Sequence, residues 1–356
     1  MVRFGVVGCG SIHGTHCDAL KEIEGATLTA VYDIVPERAK ASAEKYGVIA
    51  AKSLNDLFKR VDAICVCVPS GLHSTIAIKA AKAGKHVISE KPIDVTYAHA
   101  KAMVDACRAN KVKLGVISQH RFARDMQRLK EATQGGEFGR VIQGDAYIKW
   151  YRTQAYYDSG DWRGTWKLDG GGCLMNQGVH YVDMLQWVMG GVKSVQAQVR
   201  TSTHKIEVED MVVAMLEFKN GAIGVLEAST SAYPGMSERL EIHGAFGSAV
   251  IEGDHNRLWK VDPNAPIDPS PYGNGVTKQP TPKEELMGEK SQEEGSGAAD
   301  PTAIWGGQHR MQIEDFTHAI LDDRDPFITG EMAIEPLKII LAIYKSGKRG
   351  GIRVEV

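Results

Sequence analysis

Short, unbroken apolar runs alternate with amphipathic stretches through the first third of the chain. Arg3–Val7, Thr27–Tyr32, Asp62–Val68, His86–Ser89 and Lys113–Ile117 have the continuous hydrophobicity of strands buried on both faces. Between them, His16–Glu22, Pro36–Tyr46, Ser53–Phe58, Ser74–Ala83 and Thr96–Ala109 repeat with helical period. Ser53 and Thr96 stand where N-caps are wanted, and Pro36 suits a first helical turn. The rhythm predicts an α/β Rossmann-type doubly wound sheet over residues 1–121.

Beyond Arg121 the pattern changes. A helix over Asp125–Gln134 leads to a strand at Val141–Trp150, and a glycine-rich stretch precedes a helix at Leu174–Met189. Strand-like runs then follow one another without helices: Val192–Ser202, Met211–Phe218, Ala222–Ser229, Glu238–His243, Ser248–Glu252 and Arg257–Val261. Asn220-Gly221 marks a tight hairpin among them. Such runs predict a C-terminal α+β domain over 122–356 with a mainly antiparallel open sheet. Within it, residues 262–304 carry Pro263, Pro266, Pro269, Pro271, Pro280, Pro282 and Pro301 and show no periodicity, as a functional or poorly ordered loop does. Helices at Gln308–Leu321 and Met332–Tyr344 and a strand at Ile352–Val356 close the chain.

Composition narrows the function classes. A length of 356 residues suits two domains, and a formal net charge of −2 offers no electrostatic attraction for nucleic acid or an anionic membrane. Apolar runs such as Val61–Val68 are far shorter than the roughly 20 residues of a membrane helix. A strand-like segment follows Met1 almost at once, so the expected compartment is the cytoplasm. The six cysteines lack the paired spacing of a zinc knuckle or redox motif and read as reduced, structural thiols; no metal is expected.

The first strand runs into Gly8-Cys9-Gly10-Ser11-Ile12-His13, a turn that opens a helix. Gly8 permits the turn and Gly10 lets a pyrophosphate approach the backbone, while the usual third glycine is His13. Asp33 ends the second strand roughly 20 residues on, where a carboxylate takes adenosine ribose hydroxyls. Ile34 and Val35 follow it with no neighbouring cation for a 2′-phosphate, which favours NAD over NADP. Glu90-Lys91-Pro92 follows the strand His86–Ser89, at the sheet edge where such folds bind ligands. Lys91 is a proton donor or acceptor if held beside a cofactor; on local sequence alone it reads as a surface lysine before a turn proline. In Asp169-Gly170-Gly171-Gly172 through Asp183, helical spacing sets Asn176, His180 and Asp183 on one face. His180 suits removal of an alcohol proton near neutral pH, and a helix-face histidine hydrogen-bonded into a domain contact is the bland alternative.

These residues resemble the Gfo/Idh/MocA family (glucose–fructose oxidoreductase, inositol dehydrogenase and relatives) along nearly the whole chain. The likeness is carried by Gly8-Cys9-Gly10 with His16, Pro69-Ser70-Gly71-Leu72-His73, Glu90-Lys91-Pro92, Asn176 to His180, the helix His309–Phe316 and Arg324-Asp325-Pro326. Within the family, Tyr156-Tyr157-Asp158, Trp162-Arg163-Gly164-Thr165-Trp166, Asp169-Gly170-Gly171, Met175-Asn176-Gln177, His180 to Asp183 and Ile206 to Asp210 are similar to bacterial UDP-N-acetylglucosaminuronate 3-dehydrogenases. The resemblance implies that His180 is the base and that Lys91 orients the reacting hydroxyl or relays its proton. It also implies that Pro69, Ser70, His73 and Glu90 line the ribose and nicotinamide, with Gln119 nearby. Inositol dehydrogenases carry Asp where this chain has Asn176, which still offers a group to a substrate hydroxyl.

Tyr156, Tyr157, Trp162 and Arg163 suit a substrate wall, since aromatic faces fit the apolar side of a sugar and arginine fits a carboxylate or phosphate. Core packing is an equal reading for the tryptophans. His309 reaches the pocket or starts its helix in solvent. The implied activity is NAD-dependent oxidation of a secondary hydroxyl on a sugar, nucleotide sugar or cyclitol. An NAD-using glycosidase, acting through transient oxidation, and a cofactor-binding regulator are the rivals; a regulator would need neither Lys91 nor His180. Family members commonly pack the second domain's sheet against another subunit, so a homodimer or homotetramer is expected.

Overall fold

The computed structural model describes residues 1–264 and 306–356. The long loop expected at 262–304 lies almost wholly outside the described residues. In chain order the first elements are β1 (Val2–Val7), α1 (His13–Glu22), β2 (Ala26–Tyr32), α2 (Pro36–Tyr46), β3 (Ile49–Ala50), α3 (Leu54–Phe58), β4 (Ala63–Val66), α4 (His73–Lys82), β5 (His86–Ser89), α5 (Tyr97–Ala109) and β6 (Leu114–Val116). There follow α6 (Arg124–Gln134), β7 (Val141–Lys149), α7 (Gln154–Asp158), α8 (Val179–Met189), β8 (Val192–Arg200), β9 (Met211–Phe218), β10 (Ile223–Ser229), β11 (Arg239–Gly244), β12 (Gly247–Glu252) and β13 (His255–Val261). The last are α9 (Gly306–Leu321), α10 (Gly330–Lys348) and β14 (Val354–Glu355).

The chain divides into two compact units. Of the described residues, the first unit holds Met1–Gln119, Gly160–Asn176 and 306–337, and the second holds His120–Ser159, 177–264 and Lys338–Val356. The sequence expectation of one boundary near 121 therefore omits two later segments that pack into the first unit.

In the first unit six parallel strands run in the order β3-β2-β1-β4-β5-β6, the doubly wound arrangement expected. Both predicted caps form: Ser53 Oγ accepts the Asp56 N–H at 3.1 Å and Thr96 Oγ1 the His99 N–H at 3.2 Å. The two-residue edge strand β3 lies in the short apolar run Val48-Ile49-Ala50-Ala51 and is not among the expected strands. Helix α9 seals the sheet because Gly115 of β6 leaves room for Phe316, whose ring also meets Phe4 at 6.5 Å between centroids. Gln312 ties the same helix down, donating to Val116 O at 2.8 Å and accepting from Ser118 N at 2.9 Å. The segment 160–176 docks where Gly71 donates its N–H to Leu168 O at 2.8 Å, and a side chain at Gly71 would collide with Lys167 O.

In the second unit eight strands run β13-β12-β11-β7-β10-β9-β8-β14, antiparallel apart from the β7–β10 pair. Asn220-Gly221 makes the β9–β10 turn, with Gly221 at φ 86° and Ala222 N–H donating to Asn220 Oδ1. One sheet face packs on α8, where Gly144 admits Met189. The opposite face leaves Met211, Val213, Met215 and Ile223 exposed at 42, 40, 57 and 64%. The helix expected over Leu174–Met189 is corrected by the structure. Cys173–Gly178 is a π turn, and α-helix begins only at Val179. Helical spacing therefore does not extend from Asn176 to His180, and the shared face inferred for those residues loses its basis. Among the described residues no helix is long and apolar enough to cross a membrane.

Candidate active site

The turn after β1 is built for close approach. Gly8 has φ +94°, and a Cβ there would lie 2.5 Å from Cys67 O, so only glycine fits. A Cβ at Gly10 would meet nothing within 4 Å, which leaves the start of α1 open for a diphosphate. Ser11 and Ile12 complete this opening, Ser11 exposed and Ile12 half-buried. His13, in place of the third glycine, turns its Nδ1 back to Gly10 O. Asp33, half-buried at the end of β2, accepts the Cys9 N–H at 2.7 Å and the Val35 N–H at 2.8 Å. The residues fit an adenine dinucleotide at this edge. Pro69 leads a short 3₁₀ turn, Ser70–Leu72, in which Ser70 is buried. Gln119 lies past β6, its Oε1 buried without a hydrogen-bond partner among the described residues.

Glu90 follows β5 and is buried. His16 Nε2, from α1, meets its Oε1 at 2.8 Å, and His309 Nε2, from α9, lies at 3.7 Å. The two imidazoles hold the Glu90 carboxyl well below the usual carboxylate range, overcoming a burial cost that acts the other way. His309, read as a pocket or solvent residue, is buried at 3% exposure against this carboxylate instead. Glu90 Oε2 accepts the Lys91 N–H at 3.2 Å. His73, also buried, spans Pro92 O at 2.8 Å and Val68 O at 2.9 Å. Burial lowers its pKa, and a neutral imidazole has one N–H to share between the two carbonyls. Glu90 and His73 thus brace Lys91-Pro92 from either side.

Lys91 Nζ donates to the main-chain oxygen of Asn176 at 3.0 Å. Asn176 Nδ2 donates to Asp169 Oδ1 at 2.7 Å, and Asp169 Oδ2 accepts the Gly164 N–H at 2.9 Å. Burial pushes the Asp169 carboxyl up to about 6, against hydrogen bonds from Gly164 and Asn176 and the charges of Arg163 and Lys91. Arg163 lies over the Trp162 ring at 4.5 Å, both half-buried.

In the second unit His180 packs edge-on against His120 at 4.9 Å between centroids. His120 Nδ1 meets Asp254 Oδ2 at 2.5 Å, and Tyr181 OH donates to Asp254 Oδ1 at 3.4 Å. Asp183, expected beside His180 in a site, forms a buried ion pair with Arg121, Nε to Oδ2 at 2.9 Å. Tyr156 is half-buried and its OH accepts from Gln177 Nε2 at 3.2 Å. Tyr157, expected on the substrate wall, is corrected to a core position. It is 5% exposed, its OH pairs with Thr230 Oγ1 at 2.7 Å, and its ring meets His204 at 4.8 Å. Sequence reasoning gave no role to His16, His120, Asp169 or Asp254, whose significance rests on partners far away in the chain. Asp145, Glu241 and His243 bring ligand atoms within 4.8 Å of one another. Asp145 already accepts from Val225 N and Gln143 Nε2, and His243 pairs with Ser248.

Two family descriptions match the chain. "Oxidoreductase family, NAD-binding Rossmann fold" covers residues 2–118, and "GFO/IDH/MocA C-terminal domain" covers 126–250. The myo-inositol 2-dehydrogenase of Thermotoga maritima is 32% identical over 262 residues, 69% of this chain and 74% of that protein. The D-glucoside 3-dehydrogenase of Escherichia coli is 31% identical over 256 residues, 64% and 70% of the two. Among solved structures, the WlbA dehydrogenase from Bordetella pertussis, in complex with NADH and UDP-GlcNAcA, aligns with TM-score 0.83 and 32% identity over 100% of this chain and 98% of that one.

Proposed function

Because the chain belongs to the Gfo/Idh/MocA family of NAD-dependent oxidoreductases acting on CH–OH groups, we propose that it oxidises a secondary ring hydroxyl of a nucleotide-sugar uronate. The observation that carries this reading is the full-length likeness to a dehydrogenase bound to NADH and UDP-GlcNAcA. NAD, when bound, supplies the hydride acceptor. Gly8, Gly10, Ser11 and Ile12 would hold its diphosphate, Asp33 its adenosine ribose, and Pro69, Ser70 and Gln119 the nicotinamide half. His73 and Glu90 act behind them by fixing the turn that presents Lys91.

His180 takes the proton of the reacting hydroxyl, and Lys91 orients that hydroxyl or relays the proton. His120, held by Asp254, keeps the His180 ring in place. Tyr156, Trp162 and Arg163 bind the sugar and its acidic groups, with Asn176 at a hydroxyl. A second reading, inositol dehydrogenase, is favoured by the identity to the Thermotoga maritima enzyme; Asn176, where such enzymes carry Asp, weighs against it. The test follows NADH absorbance with UDP-N-acetylglucosaminuronate, myo-inositol and free glucosides. Turnover of the UDP-sugar alone is expected. Turnover of myo-inositol alone would replace the first reading with the second, and cleavage of an aryl glycoside without net NADH would make the enzyme a glycosidase. His180→Ala should abolish activity near neutral pH and regain part of it at high pH, where hydroxide replaces the base; an unchanged pH–rate profile would remove His180 as base.

Copies of the chain associate through the open sheet face bearing Met211, Val213, Met215 and Ile223, an apolar surface of the kind that marks interfaces. Met215→Glu should shift the mass measured by light scattering from dimer or tetramer to monomer, and an unshifted mass would place the interface elsewhere.

A further inference from the structure

We propose that Asp169 sets which end of the Asn176 amide faces the substrate, turning Oδ1 outward as an acceptor for a donor hydroxyl. The inference rests on the dehydrogenase reading and deepens it. The two ends of an amide have the same shape and opposite hydrogen-bonding character, so a neighbour must choose between them. An ionised carboxylate only accepts, and Asp169 is 2% exposed with its second oxygen taken by Gly164 N–H. Asn176 must therefore give Asp169 its NH₂ group, as it does at 2.7 Å. Asn176 is half-buried, and its Oδ1 receives no hydrogen bond from a described residue. The same residue's main-chain oxygen takes the Lys91 ammonium at 3.0 Å. A donor (Lys91) and an acceptor (Asn176 Oδ1) are thereby supplied by one linked pair, which suits a hydroxyl, since a hydroxyl both donates and accepts. The acidic residue of inositol dehydrogenases at this position would present an oxygen unaided; here the carboxylate stands behind the amide, and Asn176 offers the same oxygen without a charge.

The arrangement depends on protonation. With Asp169 ionising at about 6, acidification puts a hydrogen on the carboxyl. A protonated Asp169 can donate to Asn176 Oδ1, which lets the amide turn over and present NH₂ instead. The groups bearing on Asp169 are Arg163, Lys91, Gly164 N–H and Asn176.

The test combines an exchange with a substrate-free signal. In D169N the introduced amide must serve Gly164 N–H with its oxygen, so its NH₂ faces Asn176 and forces that amide to flip. The KM for UDP-N-acetylglucosaminuronate should rise roughly 10–100-fold, with NAD affinity by fluorescence titration unchanged. In D169N/N176D the two side chains have traded places. The carboxylate now at position 176 accepts from the amide now at position 169 and again presents an oxygen, so KM should return to within a few-fold of wild type. Independently, the side-chain amide signal of Asn176 in ¹⁵N-asparagine-labelled enzyme should shift with a midpoint near pH 6, and this shift should vanish in D169N. An unchanged KM in D169N, a failed rescue in a folded NAD-binding double variant, or a flat amide signal would each overturn the proposal. Wild-type enzyme that turns over no UDP-sugar would defeat the substrate reading, and the amide signal alone would then decide the orientation.

Discussion

Glu90 and Asp169 are both buried carboxylates of the first unit, yet their environments move them in opposite directions. Glu90 meets two imidazoles and stays ionised far into acid. Asp169 meets a side-chain amide and a backbone N–H, and burial pushes it up to about 6. Burial penalises the charged form at both sites, so the difference lies in whether partners can carry the compensating charge. Lys91 joins the two sites, its backbone N–H on Glu90 and its ammonium on the residue that Asp169 holds. One carboxylate is a fixed anion that braces the backbone; the other is neutralised within the range where enzymes work.

The comparison can be broken most forcefully at Glu90. Glu90→Ala leaves two buried imidazoles facing no anion and should lower stability by about 3–5 kcal/mol in denaturant titrations at pH 7. A loss within experimental error would mean that the charges contribute nothing. Lys91→Ala should lower kcat about 10²–10³-fold, roughly 3–4 kcal/mol of barrier, with NAD binding intact. Loss of turnover and NAD binding in parallel would instead give Lys91 a folding role.

The pH dependence of stability sharpens the contrast through its sign. A depressed carboxylate such as Glu90 stabilises the fold above its unfolded pKa of 4.5, and that contribution is lost as pH falls through the lower folded value. A raised one such as Asp169 contributes fully below 3.8, and its contribution fades as pH rises to about 6. The stability of Asp169→Asn relative to wild type should therefore improve by roughly 2–3 kcal/mol between pH 4 and pH 7. A constant difference across that window would mean that Asp169 titrates as an ordinary surface acid. The smallest effect on stability belongs to Asp33, where water reaches the carboxylate. Asp33→Ser should change stability by about 1 kcal/mol or less, while narrowing the preference for NAD over NADP in the ratio of kcat/KM values. An unaltered ratio would remove Asp33 from cofactor discrimination.

What could be read along the chain were features whose causes lie within a few residues. Continuous apolar runs specify strands covered on both faces, Ser53 and Thr96 reach backbone N–H groups three positions on, and Asn220-Gly221 supplies a tight hairpin turn in which Gly221 takes the positive φ. Gly8 and Gly10 announced a dinucleotide turn for the same local reason. The π turn at Cys173–Gly178 hid because its composition matches that of a helix start, and α-helical spacing begins only at Val179.

Sequence by itself determined the two kinds of sheet, their order along the chain and the residue types available for chemistry, because hydrophobic period and turn propensity act at short range. Tertiary structure alone decided that segments 160–176 and 306–337 complete the first unit, that His309 turns to Glu90 and that Tyr157 is buried on Thr230. It alone gave Asp169 its partner and its shifted proton affinity. Burial and long-range pairing fix how a side chain ionises and which atom it offers, and neither is a property of neighbouring letters.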